Sequence, residues 1–252
     1  MAARTVLGID LGGALQRTTG YAVLRGARRP KLMDVGVLPK SKSAEAAEDL
    51  LLELIERSKA ALIAVDAPLT LPPCLVCPSS CQGPGPEHCE LRSSRLLWEV
   101  GGNPVTERLC EVQMRAEIGG GGPLPAMRIG QITGRGVALA RRLRARRAER
   151  GPAGGPELIE VYPAASLHRL GWAKRPSQKA GETTIRRFRA KVLRSLDSEI
   201  AALGEAAECR TDGHAFDALI AAYTGWLAPG GLDSPTASFN AASGWIWVPR
   251  AG

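Results

Sequence analysis

Thr5 to Leu24 (TVLGIDLGGALQRTTGYAVL) narrows the choice of fold more than any other stretch of the chain. Val6, Leu7 and Ile9 form a short apolar run that delivers Asp10 to its end. Gly12 and Gly13 then permit a tight turn, and Gly20 to Leu24 reads as a second strand returning beside the first. A lone carboxylate at a strand end beside a glycine turn is a place to hold a cation or a phosphate.

Lys31 to Leu38 alternates well enough for a third strand. Ser43 stands where it can cap an amphipathic helix over Ala44 to Ser58, with Leu51, Leu54 and Ile55 inward. Ala61 to Val65 is a continuous apolar run, the mark of a buried strand in a parallel pairing, and it stops at Asp66. Pro72 to about Gly134 is cysteine- and proline-rich, then glycine-rich, and reads as an insertion or an elaborated, partly mobile loop region beside the site. Beyond it come a basic helix over Arg135 to Arg150, a strand over Leu158 to Tyr162 carrying Glu160, and a long helix over Thr183 to Leu203. A mostly buried helix over Phe216 to Leu227 closes the series, and the GWIWVP ending is too apolar for a free linker. The expected architecture is a single mixed α/β domain over 1–252, with a five-stranded sheet flanked by helices and a cysteine-rich insertion over 72–134. Its first three strands run antiparallel and the later ones parallel to the first.

A chain of 252 residues can bury one good core and is short for two full lobes. No apolar run approaches the ~18 residues of a membrane helix. Asp10 interrupts the first apolar segment too early for a signal peptide. A soluble, cytoplasmic protein with no membrane partner is expected. The net charge of +8, carried largely by arginine, favours a polyanionic partner such as nucleic acid, with a solvated basic surface as the alternative. Nothing in the pattern specifies an oligomeric state.

Asp10, Asp66, Glu160 and Asp217 all stand at the ends of apolar elements. Buried carboxylates repel one another and are costly unless neutralised, and a divalent cation is the natural remedy. Two Mg2+ or Mn2+ ions on such a set can activate water and stabilise the leaving oxygen of a phosphodiester. His214 and Asp217 are three residues apart, so on a helix they share a face and can reach one cation. GIDLGGALQRTTGYAVL resembles the opening of the RuvC-type resolvases, and HAFDALIAA resembles the closing helix of that superfamily. Four pieces together, GID, IAVDAPLTLP, EVYPAASL and DGHAFDALIAA, resemble the domain-of-unknown-function family 429, and the GWIWVP ending is similar to that family's terminus. That resemblance implies an RNase H-like fold and a metal-dependent nuclease site of Asp10, Asp66 and Asp217, with Glu160 and His214 as further members. GIDLG also resembles the first phosphate loop of actin-like kinases and ATPases. Such proteins require a second lobe and an adenosine loop, and GGGGP lacks the flanking strand and helix of one. A non-catalytic nucleic-acid binder of the same fold is the third alternative.

Cys74, Cys77, Cys81 and Cys89, with His88 adjacent, can wrap a structural zinc, and four thiolates also suit an iron–sulfur cluster. Unligated thiols are the plain alternative. Cys110 and Cys209 read as buried or free cysteines, and His168 and Trp172 as packing residues. Arg141, Arg142, Arg186 and Arg187 are candidates for phosphate contact on two basic helices, against a bland role in solubility.

Overall fold

The computed structural model describes residues 3–13, 19–77, 92–118, 122–150, 155–172, 175–177, 179–233 and 244–250. Their centre is a mixed sheet of six strands: β1 (Arg4–Asp10), β2 (Gly20–Gly26), β3 (Pro30–Val37), β4 (Leu62–Asp66), β5 (Glu157–Val161) and β6 (Ile246–Trp247), in the order β3-β2-β1-β4-β5-β6. β2 lies antiparallel to both β1 and β3, whereas β4, β5 and β6 continue parallel to β1. The sheet thus has one strand more than the expected five. The apolar ending supplies it, pairing Ile246 with Glu160 and Trp247 with Val161 at the edge.

Alternation along the strands divides the core in two. Val6, Leu62, Ala64, Ile159 and Val161 face one layer, formed by α7 (Glu182–Asp197) and α9 (Gly213–Trp226). Leu7, Ile9, Ile63 and Val65 face the other, formed by α1 (Ala44–Ser58) and α5 (Gly130–Arg150). α9 is buried on nearly every side because it lies directly on the sheet. A Cβ on Gly8 would run into the backbone of Ala218 and Ala222, and one on Gly20 into that of His214. These two glycines set the close approach that brings the first turn of α9 over the end of β1.

Ser43 caps α1 as expected, its hydroxyl accepting from the Ala46 amide. α5 begins five residues earlier than the expected Arg135, taking in Gly130 and Gly134. Gly136 is buried against the backbone of Pro68, where a side chain would not fit. The helix expected to run to Leu203 stops at Asp197, because the chain peels away to pair with the sheet edge: the Ala201 amide donates to the Pro30 carbonyl at 2.8 Å, and Ala201 in turn accepts from Leu32. The 72–134 segment is more helical than a loop region. Its described residues form α2 (Pro73–Val76), α3 (Arg92–Glu99), α4 (Leu109–Ile118) and the start of α5. Cys110 and Met114 of α4 pack on Ala165 of α6 (Pro163–Arg169) and on Ile246 and Val248, which ties this segment to the β6 edge. The short α8 (Glu208–Thr211) precedes α9. Among the described residues no helix is long and apolar enough to cross a membrane.

Candidate active site

Asp10 and Asp66 are direct partners in the parallel pairing of β1 and β4. In-register residues of neighbouring strands project to the same face, so both carboxylates leave the ends of these central strands on the α9 side. Asp212 caps α9, its Oδ1 accepting from the amides of His214 at 2.7 Å and Ala215 at 2.9 Å. The cap fixes the start of α9, from which His214 and Asp217 reach the same end of the sheet. His214 Nδ1 lies 2.6 Å from Asp10 Oδ2. Asp217 accepts from the Arg175 guanidinium at 2.6 Å through Oδ2, while its Oδ1 is buried with no hydrogen-bond partner.

Crowding of acids away from water has the expected electrostatic result. Burial raises the Asp10 carboxyl to about 6, and the Asp217 charge adds to the rise, against the hydrogen bond from His214. Asp66 is pushed well above the ordinary carboxylate range by burial and by the charges of Asp10 and Asp217. His214 is raised, first by its hydrogen bond to Asp10. Burial and the Asp66 charge raise the Tyr162 phenol to about 12. For Arg175, burial opposes the charged form, and Asp217 and Asp66 outweigh it, so its value is raised.

Glu160 is placed differently from the other three acids. It pairs with Val65, one position before the end of β4, so its side chain leaves the sheet on the opposite face from Asp66. There it meets Arg108, which is 1 % exposed. Arg108 donates to Glu160 Oε1 at 2.6 Å and Oε2 at 2.7 Å, to Glu111 Oε1 at 2.8 Å, and to Thr70 Oγ1 at 3.1 Å. Glu160 Oε2 also accepts from the Leu69 amide at 2.9 Å. A bidentate guanidinium and a backbone amide thus occupy the carboxylate, and the network ties α4 and the β4–α2 loop to β5. Neither Arg108 nor Arg175 stands in a periodic or motif-like context, and no signal in the chain singled them out.

An all-oxygen set of Asp10, Asp66 and Asp217 has the chemistry of a Mg2+ or Mn2+ site. The partnerless, buried Asp217 Oδ1 fits such an ion, as do the raised carboxyls that an ion would relieve. In the conformation described, His214 and Arg175 hold Asp10 and Asp217, and among the described residues no three His, Cys, Asp or Glu side chains converge closely enough to enclose a metal.

The remaining candidates are dispersed. Arg141 and Arg142 are exposed on α5 and Arg186 and Arg187 on α7, which lie on opposite faces of the sheet, so the two groups make no single stripe. Arg186 is paired with Glu182 at 2.6 Å. Cys74 within α2 and Cys77 at its C-terminal end are half-buried thiols, while Cys81, Cys89 and His88 lie outside the described residues. Cys110 and Cys209 are buried, as expected. Trp172 packs against Tyr223 with ring centroids 5.4 Å apart, but His168 is exposed on α6 and is no packing residue.

Fold and site together define a mixed α/β protein whose central strands end in partly buried carboxylates beneath the start of a buried helix. The chain belongs to the family described as Protein of unknown function (DUF429), whose model matches residues 8–238. Comparison with curated proteins and with solved structures yields no match.

Proposed function

We propose that the protein is a divalent-metal-dependent phosphodiesterase of RNase H-like fold acting on nucleic acid. One observation carries the reading: Asp10 and Asp66 are cross-strand partners at the ends of the central strands β1 and β4, with Asp217 and His214 approaching from α9 on the same side. The strand order supports it, since β3-β2-β1-β4-β5 with β2 antiparallel is the arrangement expected of an RNase H-like sheet. Asp10, Asp66 and Asp217 would hold the cation, and Glu160 is left out because Arg108 already occupies it. Bound there, Mg2+ or Mn2+ would supply charge for the phosphate oxygens and acidify water.

The chain's own groups have separable tasks. Asp10 holds His214 through Nδ1, which leaves Nε2 as the nitrogen able to exchange a proton. A half-exposed imidazole whose charged form is favoured by Asp10 is suited to protonate the departing oxygen. Asp212 caps the backbone amides of His214 and Ala215, keeping the start of α9 over the strand ends that carry Asp10 and Asp66.

The test is a panel of labelled single-stranded, duplex and branched DNA and RNA with Mg2+ or Mn2+, run with wild type, Asp10→Asn and Asp217→Asn. Cleavage by wild type alone is expected. Equal cleavage by all three, or hydrolysis of ATP without cleavage of any nucleic acid, refutes the reading, the latter in favour of an actin-like phosphotransferase.

A further inference from the structure

We propose that Arg175 is the residue that receives the substrate's phosphate, and that its bond to Asp217 is the resting contact it exchanges for that phosphate. The assignment rests on the phosphodiesterase reading above. Three largely buried carboxylates at one end of the sheet, Asp217 buried and Asp10 and Asp66 partly so, repel a polyanion, so a substrate phosphate needs a cationic side chain of the protein at the mouth of the site as well as the ion among the acids. Two positively charged groups face these acids among the described residues. His214 is committed to Asp10, which leaves Arg175.

The placement of Arg175 suits the task. Its side chain is 42 % exposed whereas that of Asp217 is 9 % exposed, so the guanidinium spans from the buried acid to solvent. A guanidinium has five N–H donors. Among the described residues one hydrogen bond from Arg175 is made, from Nη2 to Asp217 Oδ2. The other edge of a planar fork stays available for two oxygens of a phosphate. Arg175 lies between α6 and α7, beside the acids rather than out on either basic helix, so it contacts a phosphate at the reacting position.

One contact also serves two competitors. While Arg175 holds Asp217 Oδ2, it opposes a cation that needs the same carboxylate. A phosphate that draws the guanidinium away frees that oxygen, so phosphate and cation favour each other's binding. Removal of the arginine therefore acts with opposite sign on the two ligands, a signature that loss of structure does not produce.

The experiment compares wild type with Arg175→Gln and Arg175→Lys. Binding of a fluorescent oligonucleotide is followed by anisotropy in Ca2+ at several salt concentrations, and binding of Mn2+ alone by electron paramagnetic resonance. Arg175→Gln is expected to weaken oligonucleotide binding about tenfold, to reduce the salt slope by about one, and to tighten Mn2+ binding. Arg175→Lys should keep most of the slope but lose affinity. Unchanged oligonucleotide affinity and slope in Arg175→Gln overturn the proposal, as does weakened binding of both ligands. If Arg175→Gln does not fold, Arg175→Lys is judged by the same two readouts. Thermal stabilisation by magnesium sulfate over magnesium chloride separates this claim from the nuclease reading. If wild type binds no oligonucleotide, the nuclease reading fails; sulfate stabilisation lost in Arg175→Gln would still support the oxyanion contact, and stabilisation equal in both would overturn it.

Discussion

Replacing Asp10 by asparagine should stabilise the protein, and should do so only where the carboxyl would be charged. Burial beneath α9 and the neighbouring Asp217 raise this group to about 6, even after the favourable His214 hydrogen bond. The folded state therefore binds the Asp10 proton more tightly than the unfolded state does. Stability from this source is complete below the unfolded value, is lost as pH rises through the folded one, and is gone at neutral pH. The whole shift corresponds to about 3 kcal/mol, roughly half of which develops between pH 5 and pH 8. For a domain of this size roughly 2–4 °C accompanies each kcal/mol. The melting temperature of Asp10→Asn should thus gain on wild type by roughly 3–6 °C from pH 5 to pH 8, measured by differential scanning fluorimetry without divalent metal. Millimolar Mg2+ should narrow the gap at pH 8 by stabilising wild type alone. Parallel pH profiles, or a variant less stable than wild type at pH 8, would refute the electrostatic account of the cluster.

Arg108→Ala strands Glu160 and Glu111 as buried acids and should cost about 3–5 kcal/mol in chemical denaturation, or prevent folding. Gly8→Ala drives a methyl into the backbone of Ala218 and Ala222, and a loss above about 2 kcal/mol, read from the urea midpoint, is expected. Ser43→Ala removes the α1 cap and should lower stability by about 1 kcal/mol, measured the same way. Protein purified without added metal should carry zinc on its four clustered cysteines, measured by plasma mass spectrometry; absence of both zinc and iron contradicts that expectation.

Legibility in the sequence followed the range of the interactions concerned. β1, β2 and β4 could be read because apolar runs and turns are local, and their ends marked Asp10 and Asp66 directly. α9 announced itself through its composition, though it begins at Gly213 rather than the expected Phe216, and the spacing of His214 and Asp217 pointed to one shared face. Glu160 looked equivalent to the other acids because it too sits near a strand end. What separates it is the register of β5 on β4, which puts it one position short and on the other face, and register is a tertiary property. The Arg108 network joins residues 52 positions apart, and Arg175 reaches Asp217 across 42, distances over which no periodicity operates. The sixth strand escaped because two residues at an edge carry little pattern of their own.

In the proposed site Asp10, Asp66 and Asp217, and not Glu160, hold one cation. Titration of Mn2+ followed by electron paramagnetic resonance tests it most directly, on wild type, Asp66→Asn, Asp217→Asn and Glu160→Gln. Binding by wild type and Glu160→Gln, with at least tenfold weaker binding in the two asparagine variants, is the predicted result. Binding lost in Glu160→Gln as severely as in Asp66→Asn, or no binding by wild type, would contradict it.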